Sequence, residues 1–368
     1  MLRDLTIQNY RCFKDFHIDS LARVNLIVGM NNSGKTSLLE AIYLLVNQGT
    51  PKCLADLLYN RGEVVERFSL GVPGKLENYQ IDYQVKHLFH GHQPSHDQVI
   101  CFRSQTKYPP PLRIYLQPNE QQALSSDNLS EMEVIPYQLI LSSGSGQTIL
   151  PVHHDGSIEA RFIPFGKLSP SFSLTANHLI TNKLSLLLTT NNVSSDQVAA
   201  LWNSITLTPK EDKVVEALRI VEPALERISF TSRPTFNSGI LLRLHGQYPI
   251  PLGSMGEGMR RLLTLAIAAV TVENGFLLVD EIETGLYYET QTDMWRLILE
   301  IAQQLNVQVF ATTHSWDCIS AFQEALEQLE DSSVGKLFRL SRNGENIRAV
   351  DYPAEKLGVA VRQSIEVR

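Results

Sequence analysis

The hydrophobic period of this chain changes several times. LRDLTIQNYRCFKDFHI alternates apolar and polar positions, pairing Leu5 with Ile7 on one face and then Phe16 with Ile18. That pattern predicts two short strands and a turn. RVNLIVG is a compact β-rich run ending in glycine, as a buried strand ends. KTSLLEAIYLLV then switches to helical spacing, with Leu38, Leu39, Ile42 and Leu45 on one face. The predicted order is strand, glycine loop, helix.

From about Leu70 to Thr235, short alternating stretches (YQIDYQV, QVICF, LRIYL, YQLIL, TILPV, IEARFIPF) sit between Pro, Gly, Ser and Asn clusters. They predict mostly antiparallel β structure, broken at KYPPPL. LTPKEDKVVEAL predicts a helix: Thr208 caps it, Pro209 fits the first turn and Glu211 completes a capping box. From Gly239 the pattern is α/β again. ILLRLH reads as a strand, and Met259, Leu262, Leu263, Ala266, Ile267 and Val270 form a helical stripe. FLLVDE and VQVFATTH read as buried strands, TDMWRLILEIAQQL and WDCISAFQEALEQL as helices, and Asn343-Gly344 as a hairpin turn.

Composition adds little. The 368 residues suffice for one large domain with an insert; 43% are hydrophobic and 19% charged, as in an ordinary globular protein. No apolar run reaches bilayer length and no signal peptide is evident, so a cytoplasmic protein with no membrane partner is expected. Cys12, Cys53, Cys101 and Cys318 are scattered without metal-like spacing and read as reduced thiols. A net charge of −7 argues against a protein that coats nucleic acid.

Four segments carry chemistry. Gly29-Met30-Asn31-Asn32-Ser33-Gly34-Lys35-Thr36, followed by Ser37, satisfies the phosphate-loop pattern G-x-x-x-x-G-K-[ST] between a strand and a helix. Its glycines let backbone N–H groups turn inward, Lys35 meets the β- and γ-phosphates, and the Thr36 hydroxyl meets Mg²⁺. In FLLVDE, Asp280 is the expected Mg²⁺ partner and Glu281 the residue that activates water. In ATTHS, His314 is placed to sense the γ-phosphate. Finally, Ser254, Gly256, Glu257 and Gly258 of LGSMGEG open a helix, a second ready anion site. HHDG (His153 to Gly156) reads as loop histidines, as does the cluster His87, His90, His92 and His96, which no acid or cysteine joins at ligand spacing.

Taken in order, these motifs resemble the ABC-type ATPases of the SMC, RecF and OLD (overcoming-lysogenisation-defect) group. The resemblance covers roughly residues 1–50 and 240–320. It implies an α/β fold: a P-loop ATPase head with a mixed sheet, built from residues 1–69 and 236–368 and split by a β-rich, partner-specific insert over 70–235. It also implies ATP and Mg²⁺ as ligands, and a homodimer in which LGSMGEG closes over the neighbour's ATP. Arg11 in NYRCF matches a position near adenine and the α-phosphate, and Glu283 to Tyr287 a segment crossing the dimer interface. Tyr287 stands where relatives often carry His or Asp. The group's Mg²⁺-binding glutamine has Gln93 and Gln98 as candidates.

Long coiled-coil arms are not expected, since heptads are absent, and the fifty or so residues after Ser315 leave no room for a nuclease domain. The leading expectation is an ATP-hydrolysing dimeric switch acting on DNA or an effector protein, in bacterial genome defence or repair. The alternative is an ATP-binding sensor or scaffold with little turnover that holds or releases a toxin or nuclease. A phosphotransferase would leave LGSMGEG without a job, and transporter ATPases seldom split their halves with so large an insert.

Overall fold

The computed structural model describes residues 1–69, 78–94, 97–106, 108–119, 136–144, 146–163, 175–176, 184–190, 195–233 and 236–368. His96 lies outside them.

The N-terminal alternation forms β1 (Leu5–Tyr10) and β2 (Phe13–Ile18), an antiparallel hairpin with Leu5 opposite Ile18 and Ile7 opposite Phe16. Next come β3 (Val24–Val28), α1 (Lys35–Val46) and α2 (Pro51–Asn60). The middle of the chain gives β4 (Val64–Ser69), β5 (Asn78–Gln84), β6 (Ile100–Arg103), β7 (Leu112–Pro118), β8 (Tyr137–Ser143) and β9 (Gly146–Val152). It continues through β10 (Ser157–Glu159), β11 (Thr175–Ala176), β12 (Leu184–Leu188), α3 (Ser195–Ile205) and α4 (Pro209–Leu218). The remainder holds β13 (Leu225–Arg233), β14 (Phe236–Leu244), β15 (Ile250–Pro251), α5 (Gly256–Thr271), β16 (Phe276–Val279) and α6 (Gln291–Gln304). It closes with β17 (Gln308–Thr312), α7 (Trp316–Glu327), β18 (Gly335–Asn343), β19 (Asn346–Pro353) and α8 (Ala354–Arg362).

A seven-stranded mixed sheet runs β11-β12-β16-β17-β3-β18-β19, with β12 to β18 parallel and antiparallel strands at both ends. Its inner strands β12, β16, β17 and β3 are near-continuous apolar runs because both faces are covered there. On one face, Val24, Leu26, Leu277, Val279, Val309 and Ala311 pack with α3, α5, α6 and α7. On the other, Ile27, Phe276, Leu278, Phe310 and Phe338 pack with α1 and with a six-stranded antiparallel sheet, β2-β1-β6-β7-β8-β9.

That sandwich explains α1. The sequence predicts one apolar stripe, yet every residue from Ser37 to Val46 is buried, Glu40 included. A helix clamped between two sheets has no solvent side, so only residues that tolerate burial or find a partner fit there.

Segment 70–235 is shared out among the layers. β6 bonds to the second edge of β1, extending the N-terminal hairpin into the six-stranded sheet, and β12 bonds to β16 in the mixed sheet. Pairing in this way covers edges that the flanking segments would otherwise expose. Two smaller sheets, β10-β5-β4 and β13-β14-β15, complete the described strands.

Two local expectations need adjustment. Of IEARFIPF, Ile158 and Glu159 belong to β10; Ile163 N–H then bonds Ala160 O at 3.0 Å, closing a 3₁₀ turn that buries Ile163, and residues 164 and 165 lie outside the described residues. At α4, Thr208 Oγ1 accepts from Lys210 N–H as a cap should, but Glu211 reaches past Thr208 to accept from Leu207 N–H at 3.0 Å. The hairpin predicted at Asn343-Gly344 joins β18 to β19, with Asn343 opposite Asn346.

Candidate active site

Strand order builds the site. Because β17 lies between β16 and β3, the residues following these three strands fall side by side at one sheet edge. Val279 pairs with Ala311 and Thr312 with Ile27. Asp280, Thr312 and the loop starting at Gly29 are therefore neighbours, although nearly 300 residues of sequence separate the outermost of them.

The phosphate loop is glycine-dependent at two points. Gly29 has φ +148°, and a Cβ there would meet Leu340 O and Ser33 Oγ at 2.7 Å. Gly34 has φ +98°, and a Cβ would meet Cys12 Sγ at 2.8 Å. Between them Asn32 adopts φ +62°, a left-handed turn that Asn tolerates. Met30, Asn31 and Asn32 are exposed at the tip while Ser33 is buried. Lys35 Nζ donates to Gly29 O at 2.7 Å and Met30 O at 3.1 Å, so the ammonium spans the loop. Burial pushes the Lys35 pKa below its ordinary value; Asp280, Glu281 and Glu283 pull it back only in part.

Thr36 Oγ1 donates to Asp280 Oδ2 at 2.9 Å. Two hard oxygen donors at that spacing suit adjacent positions on an octahedral Mg²⁺ with bonds of ~2.0–2.1 Å, so the residues fit the ion. Thr312 Oγ1 donates to Asp280 Oδ1 at 2.5 Å and accepts from Glu281 N–H at 2.8 Å. Glu281 itself has φ +46°, a strained backbone that turns its half-exposed carboxylate out from the strand end. His314 Nδ1 lies 3.5 Å from Glu281 Oε1 and 3.6 Å from Glu283 Oε1. Glu283 is buried and accepts from Thr313 Oγ1 at 2.6 Å.

The LGSMGEG turn behaves differently. Residues Leu252–Met255 form a short 3₁₀ turn and α5 starts at Gly256 with φ +86°. Ser254, Gly256 and Glu257 are exposed, and a Cβ at Gly256 would meet nothing within 4 Å. Gly258 sits beside the Glu283–Tyr287 segment, since its Cβ would lie 3.7 Å from Leu286 Cδ2. Among the described residues no hydrogen bond joins this turn to the phosphate loop. Further along α5, Arg261 Nη2 donates to Glu281 O at 3.3 Å, tying the helix to the carboxylate segment. Tyr287 and Tyr288 are exposed, with ring centroids 4.5 Å apart.

Arg11 lies behind the loop in a buried network. Its Nε is 2.8 Å from Glu40 Oε2 and its Nη1 2.6 Å from Glu63 Oε1, leaving the side chain 7% exposed. Burial alone would lower its pKa; Tyr10, Glu40 and Glu63 more than offset that and raise it. The guanidinium nearer the loop is Arg61, which donates to Glu40 Oε1 at 2.6 Å and Ser37 Oγ at 3.3 Å. Of the two glutamine candidates, Gln98 donates to His90 O at 3.0 Å and Gln93 is exposed. His87 Nδ1 and His92 Nδ1 stand 3.4 Å apart.

Sequence reasoning missed Thr312, Arg61, Glu40 and Arg261. Thr312 was visible as the hydroxyl in ATTHS just after the apolar run, a signal of the same kind as DE after FLLV. The others carry no sequence signal, because their partners are set by packing.

The chain resembles known proteins along its length. A family model described as "AAA domain, putative AbiEii toxin, Type IV TA system" matches residues 24–317. An ATP/GTP phosphatase of Helicobacter pylori is 23% identical over 379 residues, with 97% of each chain covered. The DNA replication and repair protein RecF of Streptococcus agalactiae is 22% identical over 397 residues, covering 89% of this chain and 95% of that one. A crystal structure of an Smc head bound to the C-winged helix domain of ScpA has a TM-score of 0.49 and 13% identity, covering 97% of this chain and 99% of that one. With its phosphate loop, paired strand-end acids and mixed sheet, the chain belongs to this AAA-domain family and has a P-loop ATPase fold.

Proposed function

We propose that the chain is an ATP-hydrolysing, dimeric molecular switch of the cytoplasm. The observation that carries this reading is a division of labour. Lys35, Thr36, Asp280, Glu281 and His314 gather at one sheet edge, whereas the Ser254–Gly258 turn is exposed and, among the described residues, not hydrogen-bonded to them. A second copy supplies the missing contact: the turn of one subunit closes over the triphosphate held by the other, in a two-fold arrangement.

In this reading the backbone N–H groups of Gly29–Ser37 and the Lys35 ammonium hold the phosphates. Mg²⁺, held by Thr36 and Asp280, supplies charge neutralisation on the phosphate oxygens. Thr312 fixes the Asp280 carboxylate and the Glu281 backbone together. Glu281 orients water and takes its proton, and His314 responds to the γ-phosphate. ATP then favours the engaged dimer by its extra affinity for that form, and hydrolysis releases it.

The engaged form acts on DNA or on a separate effector protein, with segment 70–235 as the partner-specific part. The name of the RecF relative, a DNA replication and repair protein, and the toxin–antitoxin description of the family support the two classes respectively. Ser254→Arg tests the shared site. ATP binding should persist while turnover falls by about 10²-fold or more, the scale of losing a transition-state donor. Mixing it with Lys35→Ala should restore one intact composite site per heterodimer. No recovery of activity in the mixture would contradict closure by a second copy.

A further inference from the structure

The β18–β19 hairpin overhangs the phosphate loop, and nothing in the proposed reaction uses it. β18 runs parallel to β3 with Arg339 opposite Val28, where β3 ends; residues 340–343 continue alongside Gly29 and beyond. The contact is close at two points. Leu340 O lies 2.7 Å from where a Gly29 Cβ would be. At the tip, Arg342 Nη1 donates to the Asn32 carbonyl at 3.2 Å and Arg342 Nε to Gly344 O at 3.0 Å. The adjacent Glu345 is 3.6 Å from Lys14 Nζ on β2, so the tip also reaches the N-terminal hairpin.

Asn32 is the loop residue with φ +62°. When its carbonyl turns outward onto Arg342, the same peptide turns its N–H, that of Ser33, inward, where it donates to Met30 O at 3.2 Å and closes the turn of the loop. A phosphate cradle depends on the loop backbone being set before the ligand arrives, because ordering it on binding costs affinity. Arginine has the right shape for this role. One planar fork grips its own turn through Nε and the loop through Nη1, two donors at a fixed spacing that the single nitrogen of a lysine ammonium lacks.

We infer that Arg342 is a positioning residue for nucleotide binding: from the β18–β19 tip it holds Asn32 and presets the phosphate loop. This rests on the ATP-binding reading. It places the cost of losing Arg342 in affinity, since Arg342 touches neither Asp280 nor Glu281.

The test compares Arg342→Ala, Arg342→Lys and Lys35→Ala with the unaltered full-length chain, measuring ATP affinity with a fluorescent ATP analogue, KM, kcat and melting temperature. Arg342 is exposed, so its variants should melt with the parent. Arg342→Ala should raise Kd and KM about three- to tenfold, the worth of one charge-assisted contact, and leave kcat within twofold. Arg342→Lys should recover part of the loss. Unchanged affinity in Arg342→Ala, with binding by Lys35→Ala abolished, overturns the inference alone. A fall in kcat at unchanged KM overturns it too. Unchanged affinity in Lys35→Ala overturns the ATP-site reading and this inference with it.

Discussion

The Thr312 hydroxyl donates to Asp280 Oδ1 at 2.5 Å and accepts from the Glu281 N–H at 2.8 Å. One side chain on β17 therefore sets two carboxylate residues that follow β16. Thr312→Val keeps the shape of this fully buried position and removes both bonds. ATP affinity should hold within a few fold while kcat drops about 10- to 100-fold, as for other groups that orient metal ligands. Equilibrium binding beside steady-state kinetics checks this; an unchanged kcat would remove Thr312 from the mechanism.

Arg11 carries a different expectation. Its guanidinium neutralises Glu40 and Glu63, and Glu40 is 3% exposed. Arg11→Ala leaves Glu63 without this cation and the buried Glu40 with Arg61 as its remaining guanidinium; losing one partner of a buried pair costs about 3–5 kcal/mol, so with Arg61 retained the loss should fall at or below the lower end of that range. Thermal and denaturant unfolding should show that loss before any kinetic assay does. A variant that unfolds with the parent yet fails to bind ATP would give Arg11 a direct nucleotide contact instead.

Lys35 gives a pH prediction. Its pKa is depressed by burial, so the ammonium is lost at a lower pH than the ordinary 10.5 of a lysine. Binding needs the charged form. ATP affinity should therefore begin to decline at a pH below the ordinary 10.5, while Lys35→Arg, which stays charged, should lack that decline. Folding responds in the opposite direction: between the native and unfolded pKa values the unfolded chain binds more protons, so this residue's penalty fades as pH rises. Isothermal titration at fixed ionic strength follows the binding arm. Constant affinity up to 10.5 would contradict the assignment.

What the sequence could reveal divides along a physical line. Gly29 to Thr36, Asp280 and His314 were legible because each ends an apolar run, and local order alone says that a strand end carries them. That these ends adjoin was not legible, since it depends on β17 lying between β16 and β3. The alternating pattern marks 70–235 as β-rich, but not that β6 to β9 extend the β1–β2 hairpin or that β11 and β12 join the mixed sheet; edge pairing is a long-range choice that local pattern does not encode. Arg11 illustrates the same limit. Its place in NYRCF was plain, but its acids stand 29 and 52 residues away, brought to it by α1 and by the turn after α2.

The most direct test of the account is the mass of the Glu281→Gln protein by light scattering, with and without ATP and Mg²⁺. The substitution keeps the side chain's shape and removes the base, so ATP should stay bound and hydrolysis should fall at least ~10²-fold. Without nucleotide the mass should be near 41.4 kDa, and with ATP it should double. A protein that holds ATP and remains at 41.4 kDa would contradict a triphosphate shared between two copies.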